Sequence, residues 1–152
     1  DRELENQSEL LALARMLRRS QGKFSLAFSR CNSPAEQQIL AERMREILNA
    51  FGVFIQEVRL EAGGTILQQV TRAATSGNPI FVYGLERLLP SNDEAYPVLA
   101  ELNEKRGQFQ KLSCPLVFWL PEYALRQIAE RAVDFWAWRS GVYRFESEAQ
   151  AI

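Results

Sequence analysis

Asn78-Pro79-Ile80-Phe81-Val82-Tyr83-Gly84-Leu85-Glu86-Arg87-Leu88 is the stretch whose reading decides the fold. Ile80 to Tyr83 is an unbroken apolar run, rich in β-branched and aromatic residues, between Gly77-Asn78-Pro79 and Gly84. A run without polar alternation reads as a strand covered on both faces, the interior of a parallel sheet. In open parallel sheets a site lies off the carboxyl ends of the strands, which places Gly84, Glu86 and Arg87 where chemistry is expected.

Four further strands read outward from this one. Leu116 to Leu120 is a second wholly apolar run and belongs inside the sheet, stopped by Pro121. Phe24 to Phe28 alternates apolar with small residues and supplies the first strand. Val53 to Leu60 carries Gln56, Glu57 and Arg59, so it is expected at an edge, because a central strand would bury them. Val142 to Phe145 reads as a short last strand.

Helical patterns fill the intervals. Leu10, Leu13, Ala14 and Leu17 share one face of an appended helix over about residues 8–21, with Ser8 as its cap and Gly22 as its stop. Ser33-Pro34-Ala35-Glu36 is a helix start with Ser33 as N-cap, Pro34 at the first helical position and Glu36 completing a capping box. That helix is expected to run to about Ala50. Thr65 caps another to about Ser76. Pro90 to Asp93 is read as a loop, a single helix from Glu94 to Lys111 follows, and Glu122 to Ala132 carries a Glu122/Arg126 pair.

The alternation β-α-β-α-β-α-β-α-β with short loops specifies an α/β three-layer sandwich around a mainly parallel sheet of about five strands. The expected organisation is one α/β domain over residues 1–146, with 147–152 opening a linker of a longer parent chain. No internal repeat or low-complexity segment is visible.

Composition excludes more than it names. With 152 residues, 47% of them apolar, 24% charged and a net charge of −1, the chain is globular and has no overall attraction to nucleic acid or anionic membrane. Arg15, Arg18, Arg19 and Lys23 form one basic cluster, read first as a solvated helix end. No run approaches the ~20 apolar residues of a membrane span. The absence of histidine removes Ser-His and Cys-His catalysis and His-ligated metals. Two cysteines, Cys31 and Cys114, are too few for a disulfide scaffold and suggest a reducing, cytoplasmic setting. In a parallel sheet they fall at opposite strand ends, ~5 residues at ~3.3 Å apart and beyond the ~7 Å reach of a bridge, so both should be free.

The loop after the first strand, Ser29-Arg30-Cys31-Asn32-Ser33-Pro34, occupies the place of a phosphate loop but has no glycine and no lysine, and Pro34 removes a donor. Gly84 and Leu85 stand where a magnesium-binding acid belongs, and Trp119-Leu120-Pro121 ends the fourth strand without a polar sensor. No cofactor and no metal are therefore expected.

The segments PIFVYGLERLLP (residues 79–90), LNEKRGQFQKLSCPLVFWLPEYALRQIA (102–129) and DFWAWRSGVYRFE (134–146) resemble an N-terminal domain of bacterial, notably cyanobacterial, multidomain proteins that carry tetratricopeptide repeats. That domain is similar to inactive relatives of the STAND class of AAA-type signalling ATPases, which includes NB-ARC and NACHT modules. The resemblance implies a degenerate P-loop NTPase-like sheet used for signalling or scaffolding rather than catalysis, with protein partners or neighbouring domains of the same chain.

Candidate ligand contacts are Arg30, Glu86, Arg87 and Arg139, with Glu86 and Arg87 expected to pair with Arg139 or Glu122 across the sheet top. Tyr123 is a further rim residue. The aromatic run Phe135, Trp136, Trp138 and Arg139 reads either as core cover with Arg139 stacked on a ring or as a docking surface, since Trp and Arg dominate interface energetics. The alternatives to an interaction module are an atypical nucleotide binder or NTPase using Arg30, Glu86 and Arg139, and a small-molecule or NAD-directed Rossmann-like enzyme with Glu86 as its acid.

Overall fold

The computed structural model describes residues 1–74, 77–89 and 96–147, apart from the side chain of Tyr96. The loop expected at Pro90 to Asp93, the helix start at Glu94 and the linker beyond Ser147 lie outside the described residues.

The chain runs α1 (Arg2–Arg19), β1 (Ser25–Arg30), α2 (Pro34–Asn49), β2 (Gln56–Arg59), α3 (Ile66–Ala73), β3 (Ile80–Tyr83), a 3-10 turn (Leu85–Leu88), α4 (Tyr96–Glu104), α5 (Arg106–Gln110), β4 (Pro115–Leu120), α6 (Glu122–Arg131), α7 (Val133–Ala137) and β5 (Arg139–Arg144). The sheet order is β2-β3-β4-β1-β5, and every pairing is parallel. The apolar strands sit inside the sheet and every residue of β1, β3 and β4 is buried. The polar strand β2 is at an edge beside β3, as its sequence requires.

Alternate side chains of the central strands feed two cores, one on each face. Leu26, Phe28, Ile80, Val82, Leu116 and Phe118 pack against α3, α4, α6 and α7. Ala27, Phe81, Tyr83, Val117 and Trp119 pack against α1 and α2. Ser29 lies in register between Trp119 and Tyr143, and its small side chain leaves room for Trp119 to stack on Phe145 at 5.5 Å.

Four boundaries differ from the sequence reading. α1 begins at Arg2, because Asp1 accepts from Glu3 N–H at 2.8 Å and Glu3 and Glu5 favour the first turn; Ser8 is mid-helix. The long helix expected up to Lys111 breaks at Lys105, where Arg106 Nη1 donates back to Asn103 O at 2.5 Å and Gly107 weakens continuation. β5 starts at Arg139 rather than Val142. β2 covers only Gln56–Arg59, while Val53 and Ile55 before it enter the core.

α1 also closes part of the β5 edge. Glu9 Oε2 accepts from Arg144 N–H at 2.9 Å, and Asn6 both accepts from Glu146 N–H and donates to Glu146 O, each at 2.9 Å. These bonds satisfy backbone groups that an open edge would leave exposed. Cys31 and Cys114 are both free and buried, as their places on opposite strand ends imply.

Candidate functional site

The carboxyl ends of the strands carry the place where a ligand would be sought, and the β1–α2 loop there is closed by its own bonds. Cys31 N–H donates to Leu120 O at 3.0 Å, and Gln37 Nε2 donates to Cys31 O at 2.8 Å. Ser33 Oγ accepts from Glu36 N–H at 3.2 Å, while Ser33 O accepts from Gln37 N–H at 2.9 Å. Pro34, at the first helical position, has no N–H to offer. Asn32 is turned away to cap α6, its Oδ1 accepting from Glu122 N–H at 2.8 Å. Of the donors around this loop, the Cys31, Glu36 and Gln37 amides are thus engaged, and Pro34 offers none.

Arg30 is locked in the same way. Its Nε lies 3.5 Å from Glu122 Oε2 and its Nη2 3.3 Å from Glu146 Oε1, with the side chain only 11% exposed. The Nε contact is ionic rather than a hydrogen bond, since that nitrogen has no hydrogen-bond partner among the described residues. Two carboxylates thus occupy the guanidinium that sequence reasoning offered to an anion. Neither Glu146 nor Asn32 was recognisable beforehand, because each acts across roughly a hundred residues of chain.

Next to the loop is a cleft of about 490 Å³. Pro34, Ala35, Gln37 and Gln38 of α2 form one wall, and Arg59, Tyr83, Gly84, Glu86 and Arg87 the other. Its polar groups are largely committed. Tyr83 Oη donates to Glu57 Oε2 at 2.7 Å, Glu57 is also bonded by Arg45, and Arg59 lies over the Tyr83 ring at 5.0 Å. Burial and the Glu57 carboxylate push the Tyr83 hydroxyl far above its ordinary value, so it stays protonated. Arg87 is exposed and donates to Leu60 O at 3.3 Å.

Glu86 is the exception. Its Oε2 is buried with no hydrogen-bond partner among the described residues. Burial raises its pKa above the ordinary 4.5, against the opposing pull of backbone N–H groups and Arg87. Tyr123 is brought to the same rim, where burial and the Glu86 charge raise its hydroxyl. The charged form of Glu86 is the strained one, so its penalty is absent below the unfolded pKa and grows as pH rises through the folded value. Glu86→Gln should therefore raise the melting temperature at pH 7, with the gain disappearing below about pH 4 in thermal unfolding across pH. A gain that persists in acid would remove burial of the carboxylate as the cause.

The expected partnership of Glu86 and Arg87 with Arg139 or Glu122 is not formed. Arg139 is in register with Leu26 at the amino end of the sheet, opposite the cleft, and Glu122 serves Arg30 and Arg126 instead. The candidate ligand contacts thus divide: Arg30, Glu86 and Arg87 share the carboxyl edge, and Arg139 does not.

The aromatic run divides too. Phe135 is fully buried, with ring centroids 6.3, 5.7 and 5.9 Å from Phe28, Phe109 and Phe118. Trp136 packs on Phe28 at 5.2 Å and carries the Arg139 guanidinium 4.3 Å over its ring. Trp138 is 38% exposed, edge-on to Phe24 at 6.2 Å and facing Arg106 at 5.8 Å. Among the described residues no group of three or more acidic or cysteine side chains is placed to hold a metal ion, and no helix is long and apolar enough to cross a membrane.

Comparison with family models gives no match, and neither does comparison with curated proteins. Among solved structures the chain is similar to the Aeropyrum pernix ORC2 protein, determined as ADPNP–ADP complexes. The identity is 14% and the TM-score 0.53 over 91% of this chain and 47% of that one, so the chain spans less than half of that protein. At this identity the likeness concerns the fold alone, a parallel sheet with helices on both faces.

Proposed function

We propose that this chain is a non-catalytic interaction module, used in signalling or scaffolding, on a P-loop-like sheet that has lost its nucleotide site. The observation that carries the reading is the β1–α2 loop. The Cys31 amide and the first-turn amides of Glu36 and Gln37 serve Leu120 O, Ser33 Oγ and Ser33 O, and Arg30 is held by Glu122 and Glu146. Opening it for a phosphate would break these bonds and leave carboxylates facing the anion. Glu86 in the adjacent cleft adds a further negative group where a triphosphate would lie.

In this reading the module acts inside a bacterial cytoplasm, as part of a larger chain of the tetratricopeptide-repeat kind. Its partners are proteins or neighbouring domains, and Trp138 with Arg139 is a docking surface. A second reading, a binder of a small molecule bearing hydrogen-bond donors, is supported by the unpartnered Glu86 Oε2 at the cleft.

Thermal shift with magnesium and ATP, GTP or NAD at millimolar levels tests the proposal. No stabilisation is expected, whereas a true site at a hundredfold excess over its dissociation constant would stabilise by about 2.7 kcal/mol. A saturable rise with any of these nucleotides would overturn it.

A further inference from the structure

One basic concavity of the described surface has no part in the reading above. It lies at the amino end of the sheet, where the last turns of α1 meet the end of α2. Arg15, Arg18 and Arg19 rim a hollow of about 510 Å³, with Phe51 and Val53 beneath them. None of the three arginines makes an ion pair among the described residues. Glu9, earlier on α1, is already engaged by Arg144 N–H.

A solvated helix end explains only part of this arrangement. Cations in the last turn complement the helix dipole, which accounts for Arg18 and Arg19. Arg15 lies a turn earlier, and its spacing of three and four residues from the other two sets like charges side by side, which is unfavourable. Phe51 is 53% exposed, and the Arg18 guanidinium lies 3.5 Å from its ring centroid, fixed over an apolar floor. Three exposed guanidinium forks around a half-exposed aromatic ring match carboxylates flanking an apolar side chain.

We propose that this hollow binds an acidic segment of a protein partner, with two or more carboxylates taken by Arg15, Arg18 and Arg19 and an apolar side chain between them seated on Phe51. The remaining surface favours a short peptide over a polyanion. The chain carries a net charge of −1, so a nucleic acid or lipid headgroup surface extending beyond the hollow gains no overall attraction.

Fluorescence anisotropy tests it with a labelled peptide in which glutamates flank a single leucine, titrated with the intact chain at low and at physiological salt. Its glutamine-substituted counterpart, an oligothymidine and phosphatidylserine vesicles serve as comparison probes. Saturable, salt-weakened binding of the acidic peptide is expected, with about tenfold loss for Arg15→Gln or Arg18→Gln. A comparable loss for Phe51→Ala and partial retention for Arg15→Lys should follow, whereas Arg72→Gln, exposed on α3 across the sheet, should change nothing. Melting curves on each variant establish that the folded fraction is what was titrated, and Arg19→Gln replaces any variant that unfolds. No saturable binding, equal binding of the glutamine counterpart, tighter binding of the oligonucleotide or vesicles, or full affinity in the arginine variants would each overturn the proposal.

Discussion

Phe135→Ala should lower the free energy of unfolding by about 3–5 kcal/mol, because it empties a site that the surrounding structure cannot collapse into. The ring is fully buried and touches three other aromatic rings from β1, α5 and β4, so truncation removes packing from three elements at once. Trp138→Ala, three residues further on, should cost about 1 kcal/mol or less, since that ring is already part-exposed and rests mainly on Phe24. Urea unfolding of the two variants measures the contrast. Equal losses would mean that the run from Phe135 to Trp138 is uniformly core and that Trp138 is not a free docking residue.

Gly77→Ala should be destabilising by about 2–4 kcal/mol, combining the strain of a left-handed conformation with a backbone clash. Gly77 has φ +74°, and a Cβ there would come within 2.9 Å of Gly22 Cα. The two glycines are joined by Gly22 N–H donating to Gly77 O at 3.1 Å, which ties the turn after α1 to the turn before β3. Gly22 has a similar φ of +78° but nothing within 4 Å of its added Cβ, so Gly22→Ala should cost only about 1 kcal/mol. Thermal or chemical unfolding of both variants separates the contact from the conformation. A Gly77→Ala loss no larger than that of Gly22→Ala would show that the close approach is not maintained.

The fold was legible because its signals are local. The apolar runs Ile80 to Tyr83 and Leu116 to Leu120 announce covered strands, and Gln56, Glu57 and Arg59 announce an edge. Ser33-Pro34 and Thr65 fix two helix starts, the second with its full capping box. The helix break at Lys105 was hidden because no proline or capping residue marks it in the sequence. β5 was misjudged at its start because Arg139 and Ser140 are exposed and give no apolar pattern.

The candidate site was legible only as an absence. Missing glycines and lysine set the β1–α2 loop apart from the phosphate-loop pattern, but did not reveal which side chains surround it. Those side chains are Asn32, Glu122 and Glu146, whose partnerships depend on β1 lying between β4 and β5. Arg139 was grouped with Glu86 because both are charged and near apolar runs; strand direction sends them to opposite ends of the sheet.

Amide hydrogen exchange over residues 30–38, with and without millimolar magnesium and ATP, tests most directly the claim that this loop is closed by its own bonds. The amides of Cys31, Glu36 and Gln37 each have an internal acceptor. They should exchange slowly without ligand and at the same rate with nucleotide present. Fast exchange in the free protein, or protection that appears only when nucleotide is added, would contradict the account.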